Sequence, residues 1–435
     1  MSVTLQHLAD RYPDFARIGR HLSVEGAQPT AAFFVPGRIE VLGKHTDYAG
    51  GRSLVCAVSR GFSVVVCASD GSEVNVENLD TSERTSFQLS AGLTPEKGSW
   101  ANYPQVVAAR LISNFGIKRG GRIVFTSTLP IAAGISSSSA LVVSVYLALA
   151  GLNDIENRPD FQEAIPDIAA LADYLGCLEN GRDYNGLRGT IGVGTTGGSQ
   201  DHTAILCCRA GELSQFAFAP TRFEASVPMP RGYTFAVASS GVAAEKTGSA
   251  LADYNMLGSL TAAAVEAWNR YTGSSARHLG QILERAPIEE LESAVNTYCP
   301  ERYSTEHVLE RIRQFHLETS ELIPAAVEAL ARADLACFGR IVERSQQAAE
   351  RGLRNQVPET IHLVDSARRL GAAASSAFGA GFGGSVWAMV KDSDGEGFLN
   401  DWRALYHAGY PDRAPGSQFF LEQPGCSVVA RSGAK

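Results

Sequence analysis

From Arg122 to Leu152 the chain reads as a strand-like apolar run (Arg122 to Leu129), a glycine–serine loop (Gly134-Ile-Ser-Ser-Ser-Ser139) and an uncharged helix-forming stretch from Ser138 to Leu152. This order fixes more than any other feature what the chain can fold into. Backbone N–H groups at the start of a helix have no partner inside it, and the helix dipole adds partial positive charge there. A Gly/Ser loop opening a helix is therefore a natural cradle for phosphate, and its serine hydroxyls can reach a bound Mg²⁺. The plainer alternative is a loop that simply caps its helix.

Two further glycine-rich segments flank this one, and each fails a commoner motif. Gly43-Lys44 resembles the end of a Walker A loop, but five residues separate Gly37 from Gly43 where that motif has four, and His45 stands where Ser or Thr is required. Gly379-Ala-Gly381-Phe-Gly383-Gly384 satisfies G-x-G-x-x-G, yet a helix-like segment (Leu363 to Leu370) precedes it and a strand-like one (Ser385 to Val390) follows. A dinucleotide fingerprint needs strand before and helix after.

Length and composition bound the rest. With 435 residues, 45% hydrophobic and 19% charged, the chain can fill more than one core, which excludes disordered and collagen-like architectures. A net charge of −8 gives no footprint for nucleic acid. The longest apolar stretch, Ala140 to Leu152, is 13 residues long with Ser144 inside it, too short for a bilayer, so no membrane partner is expected. Charges at Asp10, Arg11 and Asp14 leave no signal-peptide core, and a cytoplasmic enzyme is expected. The eight cysteines form no C-x-x-C pair and read as reduced; Cys207 and Cys208 sit in an apolar, strand-like run.

Strand-like runs (Ala31 to Val35, Gly61 to Cys67) and helical ones (Phe161 to Leu175) mix in the first half. A polar stretch with Pro220, Pro228 and Pro230 marks a boundary, giving expected domains of 1–220 and 221–435. Beyond it, helices are expected over Thr247 to Tyr271, Glu306 to Arg332 and Leu335 to Arg351, with strands at Tyr233 to Ala238, Ser385 to Val390 and Cys426 to Ala430. Both halves read as α+β.

Pro36-Gly-Arg38-Ile-Glu40-Val-Leu-Gly43-Lys44-His45-Thr-Asp47-Tyr48-Ala-Gly-Gly51 closely resembles the galactokinase signature P-G-R-x-N-x-I-G-E-H-T-D-Y-x-x-G. The serine loop resembles the P-x-x-x-G-L-S-S-S-A loop of the galactokinase, homoserine kinase, mevalonate kinase and phosphomevalonate kinase (GHMP) superfamily, and Gly379 to Gly384 resembles its third motif. Trp100-Ala-Asn-Tyr103 and the Lys246 to Tyr254 stretch are also similar to galactokinase segments.

The resemblance implies a two-domain GHMP kinase fold, α+β, with ATP and a sugar in the cleft between domains. By position it implies Asp201, in Gly198-Ser-Gln-Asp201-His202, as catalytic carboxylate and Arg38 as its partner. A carboxylate orients the acceptor hydroxyl and takes its proton, while a guanidinium keeps that carboxylate ionised and balances phosphoryl charge. It implies Glu40, Lys44, His45, Asp47, Gly198 and Tyr254 at the sugar, with His45 and Asp47 facing the same way in an extended segment. Gly134, Ser136, Ser137, Ser138 and Ser139 would cradle ATP beside Trp100 and Tyr103, and Ser138 with Glu179 would hold Mg²⁺. A His/Asp metal centre at His202 has no supporting spacing.

Three departures stand out. Glu40 replaces the family Asn and Lys44 the family Glu that contacts the far end of the sugar; the two are either a compensating pair or the mark of an acidic sugar such as galacturonate. Glu179 lies 22 residues before Asp201 instead of about a dozen, with seven glycines between Asn180 and Gln200. Ser376-Ala-Phe378 replaces basic-Met-Thr before the third motif. The expected activity is a sugar 1-kinase acting on galactose or a related sugar. The alternatives are a kinase for an acidic sugar, a catalytically silent sugar sensor, and a kinase for a non-sugar alcohol.

Overall fold

The apolar run at Ala31 grows into a strand, β1 (Ala31–Leu42), that carries both core and signature residues. In a computed structural model describing residues 3–130, 134–242 and 248–432, it lies in a sheet with β2 (Arg52–Ala68), β3 (Glu73–Asn78), β4 (Glu83–Gln88), β5 (Gly121–Ser127), β6 (Glu212–Ala217) and β7 (Arg222–Pro228). The second sheet holds β8 (Tyr233–Ser239), β9 (Ala374–Phe378), β10 (Ser385–Lys391) and β11 (Gln418–Glu422), and β12 (Val429–Ser432) returns to the first. The orders are β12-β1-β2-β5-β3-β4, with β6 and β7 continuing from β2, and β11-β8-β10-β9. Only β3 and β5 run parallel among these pairs.

Alternation along β1 sends Phe33 and Val35 to one face and Phe34 to the other. The first face meets the helix Ser137–Leu152, apolar all round and almost wholly buried, as its sequence requires. The second face is covered by the helices Val3–Arg11 and Asp14–Val24 through Leu5, Phe15 and Ile18. In the second sheet, Ala236, Ala238, Val386 and Ala388 pack under Leu363, Phe398 and Trp402. Its opposite face, with Phe235, Trp387 and Met389, joins the principal core of the first half.

Several sequence expectations need correction. The single helix expected over Phe161 to Leu175 is two, Pro159–Ala164 and Ile168–Asn180, because Pro166 cannot continue a helix and Asp167 caps the next one by accepting from the Ala170 N–H. The run from Glu306 to Arg332 is Thr305–His316 and Ile323–Ala331 joined by a π turn, Leu317–Leu322, next to Pro324, which lacks the N–H a regular turn needs. Cys207 ends the helix Gln200–Cys207 instead of lying in a strand; all eight cysteines are free. The strand β9 directly before the third glycine motif was not expected; its short Ala-Ser-Ser-Ala-Phe run lacks a strong apolar alternation. The change of sheet falls between Pro228 and Tyr233, since β7 still pairs with β6, at the end of the polar, Pro-containing stretch. Among the described residues no helix is long and apolar enough to cross a membrane.

The halves touch where the loops meet. Gly379 has φ +83°, and a Cβ there would lie 2.9 Å from the carbonyl oxygen of Gly134. The third motif thus presses backbone to backbone on the serine loop, an approach only glycine permits. We expect Gly379→Ala to lower unfolding stability by roughly 1–3 kcal/mol through strain at positive φ and displacement of that seam. A urea-unfolding midpoint equal to that of the parent chain would show the seam relaxes freely.

Candidate active site

A break in the β1–β2 register between Pro36 and Arg38 bends β1 toward the serine loop, where the Arg38 N–H donates to the Ile135 carbonyl at 3.3 Å. The buried Arg38 side chain then spans two elements. Its Nε donates to Asp201 Oδ1 at 2.8 Å and its Nη1 to the Gly134 carbonyl. Asp201 is the second residue of the helix Gln200–Cys207, so its charge sits at the positive end of that helix. Both face a cleft of about 900 Å³ whose wall also includes Tyr254, Gly379 and Ala380 from the second half.

The serine loop lies where the strand–loop–helix order places it, though residues 131–133 are outside the described part. Gly134 and Ser136 have φ of +73° and +61°, and Ser136, Ser137, Ser138 and Ser139 line the cleft at the start of the helix. Ser139 meets both acidic groups: its Oγ lies 3.1 Å from Glu179 Oε2 and 3.5 Å from Asp201 Oδ2. Despite the longer spacing, Glu179, the penultimate residue of the helix Ile168–Asn180, lies in the cleft wall, with His202 Nε2 3.1 Å from its Oε2. Among the described residues no cluster of three or more His, Cys, Asp or Glu forms a metal cage. Trp100 and Tyr103 line the same cleft next to Phe62 and Phe125, giving it an apolar wall.

His45 and Asp47 reach the cleft by a different route from the extended segment expected. His45 has φ +58° and Asp47 opens a short 3₁₀ turn, Asp47–Ala49. His45 Nε2 is 3.0 Å from the Ala380 carbonyl, an acceptor only, so this nitrogen carries a hydrogen, and Nδ1 lies 3.1 Å from the Tyr48 hydroxyl. The buried Arg311 donates to the His45 carbonyl and to the Tyr48 hydroxyl. Asp47 Oδ2 accepts from the Gln200 N–H at 3.1 Å, and burial pushes its carboxyl up against that bond. Gly198 makes room for it, since a Cβ there would come 2.4 Å from Asp47 Oδ2. Tyr254 stands beside His45, ring centres 5.3 Å apart; Lys246 lies outside the described residues.

Glu40 and Lys44 do not pair. Lys44 is buried with its Nζ 2.8 Å from Ser376 Oγ and 3.3 Å from Ser345 Oγ, and it is the one expected site residue outside the cleft wall. The departures at Lys44 and Ser376 therefore meet each other, the lysine on the β1 side bonding the serine on the β9 side. Glu318 completes the setting, accepting from the Gly43 N–H at 2.8 Å and from Ser345 at 2.9 Å. Glu40 stays in the cleft wall, its Oε2 accepting from Gln200 Nε2 at 2.7 Å. Burial pushes its carboxyl up to about 7, against the pull of Arg38 and Lys44. Sequence reading missed Gln200, which was visible beside Asp201, and Arg311 and Glu318, which carry no local signal.

Comparison with known proteins fits this geometry. Residues 20–68 match the model of the galactokinase galactose-binding signature, 102–208 that of the GHMP kinases N terminal domain and 326–408 that of GHMP kinases C terminal, together more than half of the chain. A galactokinase of Actinobacillus pleuropneumoniae is 26% identical over 381 residues, 86% of this chain and 88% of the relative. The fold is similar to that of Lactococcus lactis galactokinase, a structure solved with galactose, at a TM-score of 0.77 and 22% identity, covering 95% of this chain and 98% of that one. Methanococcus jannaschii mevalonate kinase follows with a TM-score of 0.54 and 14% identity, covering 90% and 98%. The chain belongs to the GHMP kinases and is a galactokinase-like phosphotransferase.

Proposed function

We propose that this enzyme is an ATP- and Mg²⁺-dependent sugar 1-kinase of the cytoplasm, moving the γ-phosphoryl group to the anomeric hydroxyl of galactose or a closely related neutral hexose. The observation that carries the reading is Arg38, which binds the Asp201 carboxylate with one nitrogen and the serine-loop carbonyl of Gly134 with another. Acceptor-activating and phosphate-cradling groups are thereby held in one frame. Asp201 takes the hydroxyl proton as the sugar oxygen bonds to phosphorus and the bond to ADP breaks; Arg38 keeps Asp201 ionised and offsets charge on the phosphoryl oxygens. Asp47, His45, Tyr254 and the Gly198 backbone shape the sugar pocket, and Trp100 and Tyr103 offer flat surfaces for adenine.

The residues present suit Mg²⁺. Glu179 is a buried carboxylate in the cleft wall beside serine hydroxyls, and Mg²⁺ binds through one or two carboxylates plus substrate phosphates. Bound there, the ion would neutralise charge on the β- and γ-phosphates. Glu179 and Ser138 would hold it, with Ser139 orienting the Glu179 carboxylate. A neutral sugar is favoured over an acidic one because Lys44 turns away, while Glu40, Asp47, Glu179 and Asp201 share the wall with Arg38.

Asp201→Asn keeps the shape and removes the base. Turnover of galactose, followed by ADP release, should fall at least ~10²-fold while galactose binding persists; near-normal turnover would remove Asp201 from this role. Ser138→Ala should shift the Mg²⁺ dependence of nucleotide binding, read by titration, to higher concentration, and Ser139→Ala should do so more weakly. Unchanged midpoints in both variants would place the ion elsewhere.

A further inference from the structure

Glu40 is a carboxylate with one oxygen committed and one free. Its Oε2 is anchored by Gln200 Nε2, and Gln200 is itself fixed, its Oε1 accepting from Ser53 Oγ and its N–H held by Asp47. Glu40 Oε1 is sealed from bulk water and has no hydrogen-bond partner among the described residues. An acceptor left this way inside a protein is costly, and the cost is relieved by a proton or by a donor on a bound ligand. Glu40 lies in the wall of the same cleft as Arg38, two residues earlier on β1, and Asp201.

We infer that Glu40 Oε1 is a sugar-recognition point, accepting a hydrogen bond from a hydroxyl of the bound neutral hexose and turning away a carboxylate-bearing sugar. This rests on the sugar-kinase reading above and adds to it the group that reads the charge of the substrate. The position matters because an amide there, the Asn of the resembling motif, offers a donor as well as an acceptor, whereas an ionised carboxylate only accepts.

The charged groups around Glu40 set how this should respond to pH. Arg38 on the same strand and Lys44 beyond its end favour the ionised form; Asp201 on the facing helix disfavours it; the Gln200 amide favours it; burial outweighs the favourable contributions and leaves the carboxyl at about 7. Asp47, the other carboxylate tied to Gln200, is also pushed up by burial. A hydroxyl donates more strongly to a carboxylate than to a neutral acid. Sugar binding therefore favours ionised Glu40 and expels its proton. Below pH 7 the proton must first be displaced, so affinity rises as pH rises through about 7 and levels off above.

The experiment is calorimetric titration of galactose and of galacturonate into the full-length chain from pH 6 to 8.5, in buffers of different ionisation heat, with Glu40→Gln beside it. The parent chain should release up to about half a proton on binding galactose near pH 7, tighten with pH, and bind galacturonate at least ~10-fold more weakly, as expected for an unpaired like charge in a closed site. Glu40→Gln, of nearly the same shape, should bind galactose roughly 10- to 100-fold more weakly at pH 8, release no proton, and lose the pH trend. Proton release that survives in Glu40→Gln would assign it to Asp47 and overturn the inference, as would equal galactose affinity in both proteins across the range. Should that variant fold poorly, Glu40→Asn, the residue of the resembling motif, takes its place with the same readouts: loss of the proton release and of the pH trend supports the inference, and their survival overturns it. A parent chain that binds and phosphorylates no neutral hexose would instead refute the sugar-kinase reading, and this inference would fall with it.

Discussion

One guanidinium holds the site together. Arg38 reaches Asp201 on one side and the Gly134 carbonyl on the other while its own backbone hydrogen-bonds the serine loop at Ile135. Burying a cation costs less when its donors find acceptors, and here two of them meet the Asp201 carboxylate and the Gly134 carbonyl. The bulge at Pro36 to Arg38 brings the strand near enough for this, so a backbone irregularity in β1 helps set the distance between Asp201 and the serine loop.

The second half acts as the clamp. Arg311 holds the His45 carbonyl and the Tyr48 hydroxyl, Ala380 takes the other side of the His45 ring, and Glu318 holds the Gly43 N–H. Both Arg311 and Glu318 come from the helical run that includes the π turn, and that turn beside Pro324 aims Glu318 at the signature loop. The signature residues therefore depend for their shape on a segment more than 260 positions away in the chain. Charge is divided the same way: Lys44 bonds Ser376 and Ser345 behind the wall, and among the described residues of the wall Arg38 is the one arginine or lysine beside Glu40, Asp47, Glu179 and Asp201.

Much of this was legible in the residues themselves. Uncharged, apolar Ser138 to Leu152 had to be a buried helix, and a Gly/Ser loop before it had to present N–H groups at its start. The order of the three glycine motifs, Arg38, Asp201 and the serine loop, pointed to one phosphoryl-transfer site, and the structure brings them into one cleft. Glu179 was in doubt for its spacing alone, and the glycine-rich connection from Asn180 to Gln200 proves able to bring helix end and helix start together.

What sequence could not decide was direction. Glu40 and Lys44 lie four residues apart in one motif and invite pairing, yet a register shift between Glu40 and Leu42 turns them to different neighbours, one to Gln200 in the cleft and one to Ser376 behind it. The pattern of residue types fixes which groups are available, because periodicity, glycine and proline act locally. Which way a side chain points, which serine meets Glu179, and which helix clamps His45 are set by packing between segments distant in the chain, and only the tertiary structure holds that information.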